Sequence, residues 1–392
     1  MRICIASLFR GNSPEDPSSY LERTLIYRAL SRALAERGHS VHVVVASYVD
    51  ALLKEDDVNY HFVRSSRLSD TLSQLLLRDA HRRNLYQPEL RCIRLIKSLN
   101  PDVIHFFGTV LHVNLWLLLR SIRRRGTPVL LHHHGGRPSQ NLLSRAIQRS
   151  NFTHITRFLV ATPEHAKPFV DCKMIDSAMK VVPFISTSTT FKAGPKIDAR
   201  AATGMHGDPV FVWTARLHPV KDPLTALQGF EAICRAWPKA RLYMYYRSDE
   251  LIQEVQRLLR ERPILQSSVV LRGQVDSQQM EAIYRSADFF LQASIEEVSG
   301  FALVEAMACG AIPVVTNIPS FRKITDEGRA GILFSPGNKD DLADAVLRTD
   351  PAGIADLSQR VRAHFDQSLS FPALAGQLES IDSGILTCSD AE

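Results

Sequence analysis

The sequence predicts an α/β fold of two tandem domains, each a parallel sheet covered on both faces by helices. Three observations carry that expectation. Short, nearly continuous runs of β-branched and apolar residues alternate with longer stretches whose apolar residues recur three and four positions apart. The alternation lapses near residue 192 and then restarts. The length, 392 residues, exceeds that of one ordinary domain.

In the first half the strand-like runs are MRICIAS (1–7), VHVVVAS (41–47), VNYHFVR (58–64), DVIHFFG (102–108), PVLLHHH (128–134) and RFLVAT (157–162). Between the first two, YLERTLIYRALSRALAERG reads as one amphipathic helix stopped at Gly38. KAGPKIDARAATGMHGDP then has no apolar periodicity and reads as a linker. After it come VFVWTAR (210–216), ARLYMYY (240–246), VVLRGQV (269–275), DFFLQAS (288–294), AIPVVTN (311–317) and GILFSP (331–336). The expected organisation is a first domain at 1–191, a linker at 192–208, a second domain at 209–364 and a helical segment at 365–392. That last segment is long enough to cross back to the first domain. Sheets of this kind bind ligands outside the carboxyl ends of their strands, so a cleft between the two domains is the expected site.

Composition narrows the class further. Hydrophobic residues are 45% and charged residues 22%, enough to bury a sizeable core. No run approaches the roughly 18 apolar residues of a membrane span, and MRICIASLF lacks the parts of a secretory signal. Six cysteines are scattered without a C-x-x-C pair, which argues against a metal or disulfide framework and for a reducing, cytoplasmic setting. The net charge of +6 and pI near 9.0 favour anionic partners such as nucleotides, phosphates or acidic lipid headgroups. No nucleic-acid module or aromatic–basic interleaving is present.

The chemistry concentrates in EEVSGFALVEAMACGAIPVV, residues 296 to 315. DFFLQAS leads into a loop and then a helix that opens near Ser299 or Gly300. A helix N-terminus offers free N–H groups and the positive end of its dipole to a phosphate. Gly300 lets a ligand come close to the backbone. Glu297 falls in the loop and Glu305 inside the helix; ionised carboxylates accept hydrogen bonds only, which suits pairs of sugar hydroxyls. The plainer reading is a helix start that favours acids, with a second acid on its wet face. TARLHPVKDP places Arg216 and Lys221 at the carboxyl end of the second domain's first strand, where a diphosphate would need cations. Two solvated basic residues in a loop would also explain them. HHHGG invites a metal reading, but on a strand only His132 and His134 share a face, and no third ligand stands nearby.

Taken in order, TARLHPVKDPLTALQGF, LRGQV and EEVSGFALVEAMACGAIPVV resemble the nucleotide-sugar-binding half of glycosyltransferase family 4. Glu297 and Glu305 match that family's Glu–seven residues–Glu pattern, and Arg216 and Lys221 its basic pair. ALSRALAERGHSVHVVV and LNPDVIHFFG resemble segments of its first domain. The resemblance implies the GT-B fold, two Rossmann-like domains with sheets facing across a cleft, and a retaining transferase. It implies that Arg216 and Lys221 hold a donor diphosphate, that Glu305 takes the ribose and that Glu297 takes the transferred sugar. Backbone N–H groups of Gly300, Phe301, Ala302 and Leu303 would complete the cradle, Arg272 and Gly273 would border the base, and His134 would face the donor sugar. The co-substrate implied is a nucleoside-diphosphate sugar, with no metal or other cofactor. The acceptor is a hydroxyl, on a glycan, a small molecule or a lipid-linked carrier.

Three stretches depart from the family pattern. LFRGNSPEDPSS holds a lone Gly11, with Arg10 beside it, where a glycine-rich loop is usual. VVPFISTSTTF carries Phe184 and Ile185 in place of Asn-Gly, and Tyr245-Tyr246-Arg247 stands where a glycine-rich turn is common. VLHVNLWLLLRSIRRRG (110–126) and LLLRDAHRR (75–83) join apolar faces to arginines. Either could rest on an anionic bilayer as a peripheral contact, or pack on the sheet with a basic end. Two other functions remain open at this level: an epimerase acting on the same donor, and a catalytically silent nucleotide-sugar-binding protein. Oligomeric state is not legible.

Overall fold

Every strand-like run of the sequence folds as a strand, and each sheet is wound from both sides. The computed structural model of the chain describes residues 1–9, 16–66, 69, 71, 86–175, 179–349 and 353–389. Arg10, Gly11 and the stretch 75–83 lie outside the described residues. The chain divides into two units, one of Met1–Ser186 with Phe371–Glu392 and one of Thr187–Ser370.

The first unit holds β1 (Arg2–Ser7), β2 (Ser40–Ser47), β3 (Ala51–Glu55), β4 (Val58–Arg64), β5 (Val103–Gly108), β6 (Val129–His133), β7 (Arg157–Val160) and β8 (Lys180–Pro183). Their order across the sheet is β3-β4-β2-β1-β5-β6-β7-β8. All neighbours are parallel except β3, which pairs antiparallel with β4. Strand alternation explains the double cover. Ile3, Ile5, Val43, Val45 and Phe107 enter one core, and Cys4, Ala6, Val44, Ile104 and Phe106 enter the other.

The helix Phe371–Ser389 belongs to this unit: Phe371, Leu374, Ala375, Leu378 and Ile385 share a core with Ile3, Ile5 and Leu30. Its Asp382 carboxylate meets His105 Nε2 at 3.0 Å, and His105 Nδ1 lies 2.9 Å from His132 Nε2. His132 stacks on Phe107 with ring centroids 4.1 Å apart, while His133 points the other way, against Phe158 and Phe169. Burial pushes the His133 imidazole down to about 4 and His132 well below its usual range. His132 and His133 are therefore neutral core histidines. Among the described residues no three His, Cys, Asp or Glu side chains converge as a metal site.

Several local expectations are corrected. The helix read across 20–38 is two helices, Pro17–Arg23 and Leu25–Ala35, because Thr24 leaves helical dihedrals and its hydroxyl caps Tyr20 O at 2.6 Å. The edge strand β3 went unread because its ALLKE alternates weakly; it turns into β4 through Asp56 and Asp57, both at positive φ. The leucines of VLHVNLWLLLRSIRRRG are not a membrane face. In the helix Val113–Ile122, Leu115, Leu118, Leu119 and Ile122 are buried in the core, and Arg120 lies over the Trp116 ring. Phe184 and Ile185, where the family pattern breaks, are also buried.

The second unit's strands are β9 (Val210–Ala215), β10 (Arg241–Tyr246), β11 (Val269–Gly273), β12 (Phe289–Gln292), β13 (Ile312–Thr316) and β14 (Ile332–Phe334). They run in the order β11-β10-β9-β12-β13-β14, all parallel. The stretch read as a linker carries a helix, Lys196–Thr203, within this unit. Polar anchors hold it, which is why apolar periodicity missed it. Lys196 and Arg200 pair with Asp288 at 2.5 and 2.6 Å, and Arg200 Nε donates to Ser286 O at 3.0 Å. No helix among the described residues is long and apolar enough to cross a membrane.

Candidate active site

Strand order places the site of the second unit. β9 lies between β10 and β12, so chain connections leave it in opposite directions, and loops part at its carboxyl end. A cavity of about 650 Å³ opens there, lined by residues from the ends of β9, β10, β11 and β12 and from the helix Phe301–Ala308. That volume suits a ligand larger than a single sugar.

β9 ends in Thr214 and Ala215, and Arg216 follows, exposed at the cavity wall. Among the described residues its guanidinium has no side-chain hydrogen bond or ion pair, and the same is true of Arg247 beyond β10. The chain then turns through Pro219–Lys221, with His218 Nδ1 accepting from Val220 N at 3.2 Å. Asp222, at φ 42°, caps the next helix by accepting from Thr225 N at 3.2 Å. This capped turn fixes Lys221 pointing inward, with its side chain 14% exposed.

After β12 the loop is tied back. Ile295 N donates to Val220 O at 2.8 Å, and the Ser320 hydroxyl donates to Glu297 O. Those ties set Glu297 against Lys221, and the two form an ion pair inside the cavity. The other carboxylate oxygen of Glu297 accepts from Val298 N at 3.1 Å. Gly300, at φ 63°, then starts the helix Phe301–Ala308 without any side-chain cap. The first helical bond is Val304 N to Gly300 O at 3.0 Å, so the N–H groups of Phe301, Ala302 and Leu303 have no partner within the helix. The positive φ favours glycine here, and a Cβ on Gly300 would stand 2.6 Å from Ile324 Cδ1 and have to displace that methyl.

Glu305 lies one turn in, on the cavity side of that helix. Burial raises its carboxyl to about 7, against the opposing hydrogen bond from Tyr284. The Tyr284 hydroxyl also meets Thr214 Oγ1 at 2.9 Å, and burial lifts its own pKa well above the usual range. A chain of three hydroxyl and carboxyl groups therefore crosses the cavity floor.

Of the residues singled out from sequence, Arg216, Lys221, Glu297, Glu305, Phe301, Ala302 and Gly273 line this one cavity. Leu303 is fully buried in the core behind it, so only its backbone N–H is offered. Gly300 is buried, and the Arg272 guanidinium lies over the Tyr243 ring, 5.6 Å from its centroid. His134 belongs to the first unit, at the carboxyl end of β6, stacked on Phe107 and 3.3 Å from Ser186 Oγ. Sequence reasoning missed Tyr284 and Gln292, and took Arg247 only as part of a departure from the family pattern. Gln292 is 2% exposed, donates to Ser294 Oγ at 3.0 Å, and leaves its amide oxygen unpaired at the cavity. A glutamine ending an otherwise apolar run, FFLQ, was the available signal.

Two family models match the chain: Glycosyltransferase Family 4 over residues 26–183 and Glycosyl transferases group 1 over residues 208–349. A GDP-mannose:cellobiosyl-diphosphopolyprenol alpha-mannosyltransferase of Xanthomonas campestris is 25% identical over 66% of this chain and 67% of its own length. A D-inositol 3-phosphate glycosyltransferase of Saccharomonospora viridis is 28% identical over 53% of this chain and 51% of its own. The chain thus spans between half and two thirds of the length of these relatives. Among solved structures, sucrose-phosphate synthase from Thermosynechococcus elongatus superposes with a TM-score of 0.66 at 16% identity, over 99% of both chains. Anabaena HepE in complex with UDP and glucose superposes with a TM-score of 0.65 at 16% identity, over 98% of this chain and 100% of that one. At such identities the structures speak to fold, which is GT-B.

Proposed function

Since this chain belongs to glycosyltransferase family 4, we propose that it moves a sugar from a nucleoside-diphosphate donor to a hydroxyl acceptor, with retention at the anomeric carbon. One observation carries the reading. A single cavity gathers free helix N–H groups, two arginines unpaired among the described residues and a part-buried carboxyl group.

The diphosphate is the most highly charged part of such a donor. Arg216, Lys221 and Arg247, with the N–H groups of Phe301, Ala302 and Leu303, supply its complement. Glu305 takes the ribose hydroxyls, Glu297 takes hydroxyls of the transferred sugar, and the Gly273 turn borders the base. His134, by its place in the family pattern, is assigned to the donor sugar. The acceptor oxygen attacks the anomeric carbon on the face from which the diphosphate departs. The carbon–oxygen bond to phosphate breaks with its electron pair left on that oxygen, which receives the acceptor's proton. Positive charge develops on the sugar and negative charge on the leaving group, where the cations and amides are already oriented. The reaction so drawn asks for no protein base and no divalent cation.

The relative's GDP-mannose and diphosphopolyprenol-linked acceptor make that pair the first to test here, with UDP- and ADP-sugars and soluble hydroxyl acceptors beside it. Arg216→Ala and Glu305→Ala should each lower turnover by about 100-fold or more with an unchanged circular dichroism spectrum. Wild-type rates in both would remove the site assignment. A product of inverted anomeric configuration by NMR would overturn the mechanism, and loss of activity in EDTA would overturn the metal-free scheme.

A further inference from the structure

The first unit carries a surface that its own folding does not use. The helix Leu142–Phe152 turns a largely polar face inward, the reverse of an ordinary surface helix. Ser144 meets the Tyr86 hydroxyl at 3.0 Å, Gln148 accepts from Ser139 N at 2.9 Å, and Asn151 donates to Val110 O at 2.8 Å. Only Phe152 adds an apolar side chain to the buried set. The leucines face out instead. Leu142 is 84% exposed and Leu143 71%, the first being the most exposed large hydrophobic among the described residues.

Helical spacing puts Arg145, Ala146 and Arg149 on the same outward arc as Leu142. Neither arginine, nor Arg137 just before the helix, has an ion-pair partner among the described residues. No acid lies close in sequence to balance them. Between Asp102 and Glu164 the chain carries eight arginines, no lysine and no acid. Adjacent exposed leucines set among unpaired arginines fit a partner that is apolar within and anionic at its surface.

We infer that this turn docks on an anionic bilayer, with Leu142 and Leu143 entering the acyl boundary and Arg137, Arg145 and Arg149 meeting lipid phosphates. The surface belongs to the first unit alone, and the inference does not depend on the transfer reaction. It also moves the membrane contact away from the leucines of Val113–Ile122, which the core consumes. Because Leu142 and Leu143 make little contact within the fold, replacing them should leave folding intact.

The test is co-sedimentation of the full chain with extruded vesicles, either of phosphatidylcholine alone or with a third of phosphatidylglycerol. Wild type should partition onto the anionic vesicles and far less onto neutral ones. Leu142→Ser with Leu143→Ser should weaken partitioning about tenfold or more, at an unchanged melting temperature. Arg145→Gln with Arg149→Gln should remove most of the preference for anionic lipid. Failure of wild type to bind anionic vesicles would overturn the inference, as would equal binding by the leucine variant. A wild-type dimer that the leucine variant splits into monomers would also overturn it, because a second copy would then be the occupant.

Discussion

Lys221 and Glu297, separated by 76 positions in the chain, form an ion pair inside the second unit's cavity. In the proposed reaction they serve different ligand groups, diphosphate for the lysine and sugar hydroxyls for the glutamate. Each neutralises the other across that contact, so a ligand that takes both groups would have to redistribute it.

Lys221→Ala should therefore weaken binding of the free nucleoside diphosphate, whereas Glu297→Gln should leave it equal or tighter, since the lysine is released. Turnover should fall in both. A double-mutant cycle on diphosphate affinity should return a coupling of about 0.5–3 kcal/mol. Additive effects measured by calorimetry would show that the pair is irrelevant to the ligand.

If Glu305 takes the donor's ribose as proposed, donor affinity should depend on pH. Burial holds its carboxyl at about 7, and only the ionised form accepts two hydroxyl hydrogen bonds. Below that pH the ligand must also displace a proton, so the donor Kd should rise by up to about tenfold per pH unit as pH falls from 7. Glu305→Gln should flatten the profile. Tyr284→Phe removes the hydrogen bond that opposes the shift, so its profile should move to higher pH.

The same group has a signature in stability. Burial lifts its folded pKa to about 7, above the ordinary 4.5 of a free glutamate. Its contribution is thus fully present below pH 4.5 and is lost as pH rises through 7, a change of about 3 kcal/mol. Denaturant titrations of wild type against Glu305→Gln across that window measure it. Parallel curves would show that the carboxyl ionises normally.

Gly300→Ala should destabilise the second unit by about 2–4 kcal/mol, from a left-handed alanine and a Cβ driven into Ile324. The melting transition should fall by about 5–10 °C. Ile324→Ala should cost less in the Gly300→Ala background than alone, because the clash is gone. Equal costs would mean that the backbone, not the contact, carries the penalty.

What the sequence determined by itself was whatever depends on period and spacing. Continuous apolar runs such as VFVWTA and FFLQ, short and rich in β-branched and aromatic residues, read as strands buried on both faces, and their alternation with helices points to parallel sheets. The eight-residue step from Glu297 to Glu305, with Gly300 between, places one acid in a loop and the other a turn into a helix. Polar anchoring is invisible to such patterns, which is why the helix Lys196–Thr203 read as a linker and the inverted face of Leu142–Phe152 passed unnoticed. Only tertiary structure could bring Tyr284 and Thr214 to Glu305, set Lys221 against Glu297, and bury the leucines of Val113–Ile122 while leaving Leu142 and Leu143 in water. Those outcomes depend on which strand lies beside which and which face a helix turns inward, and long-range packing alone decides both.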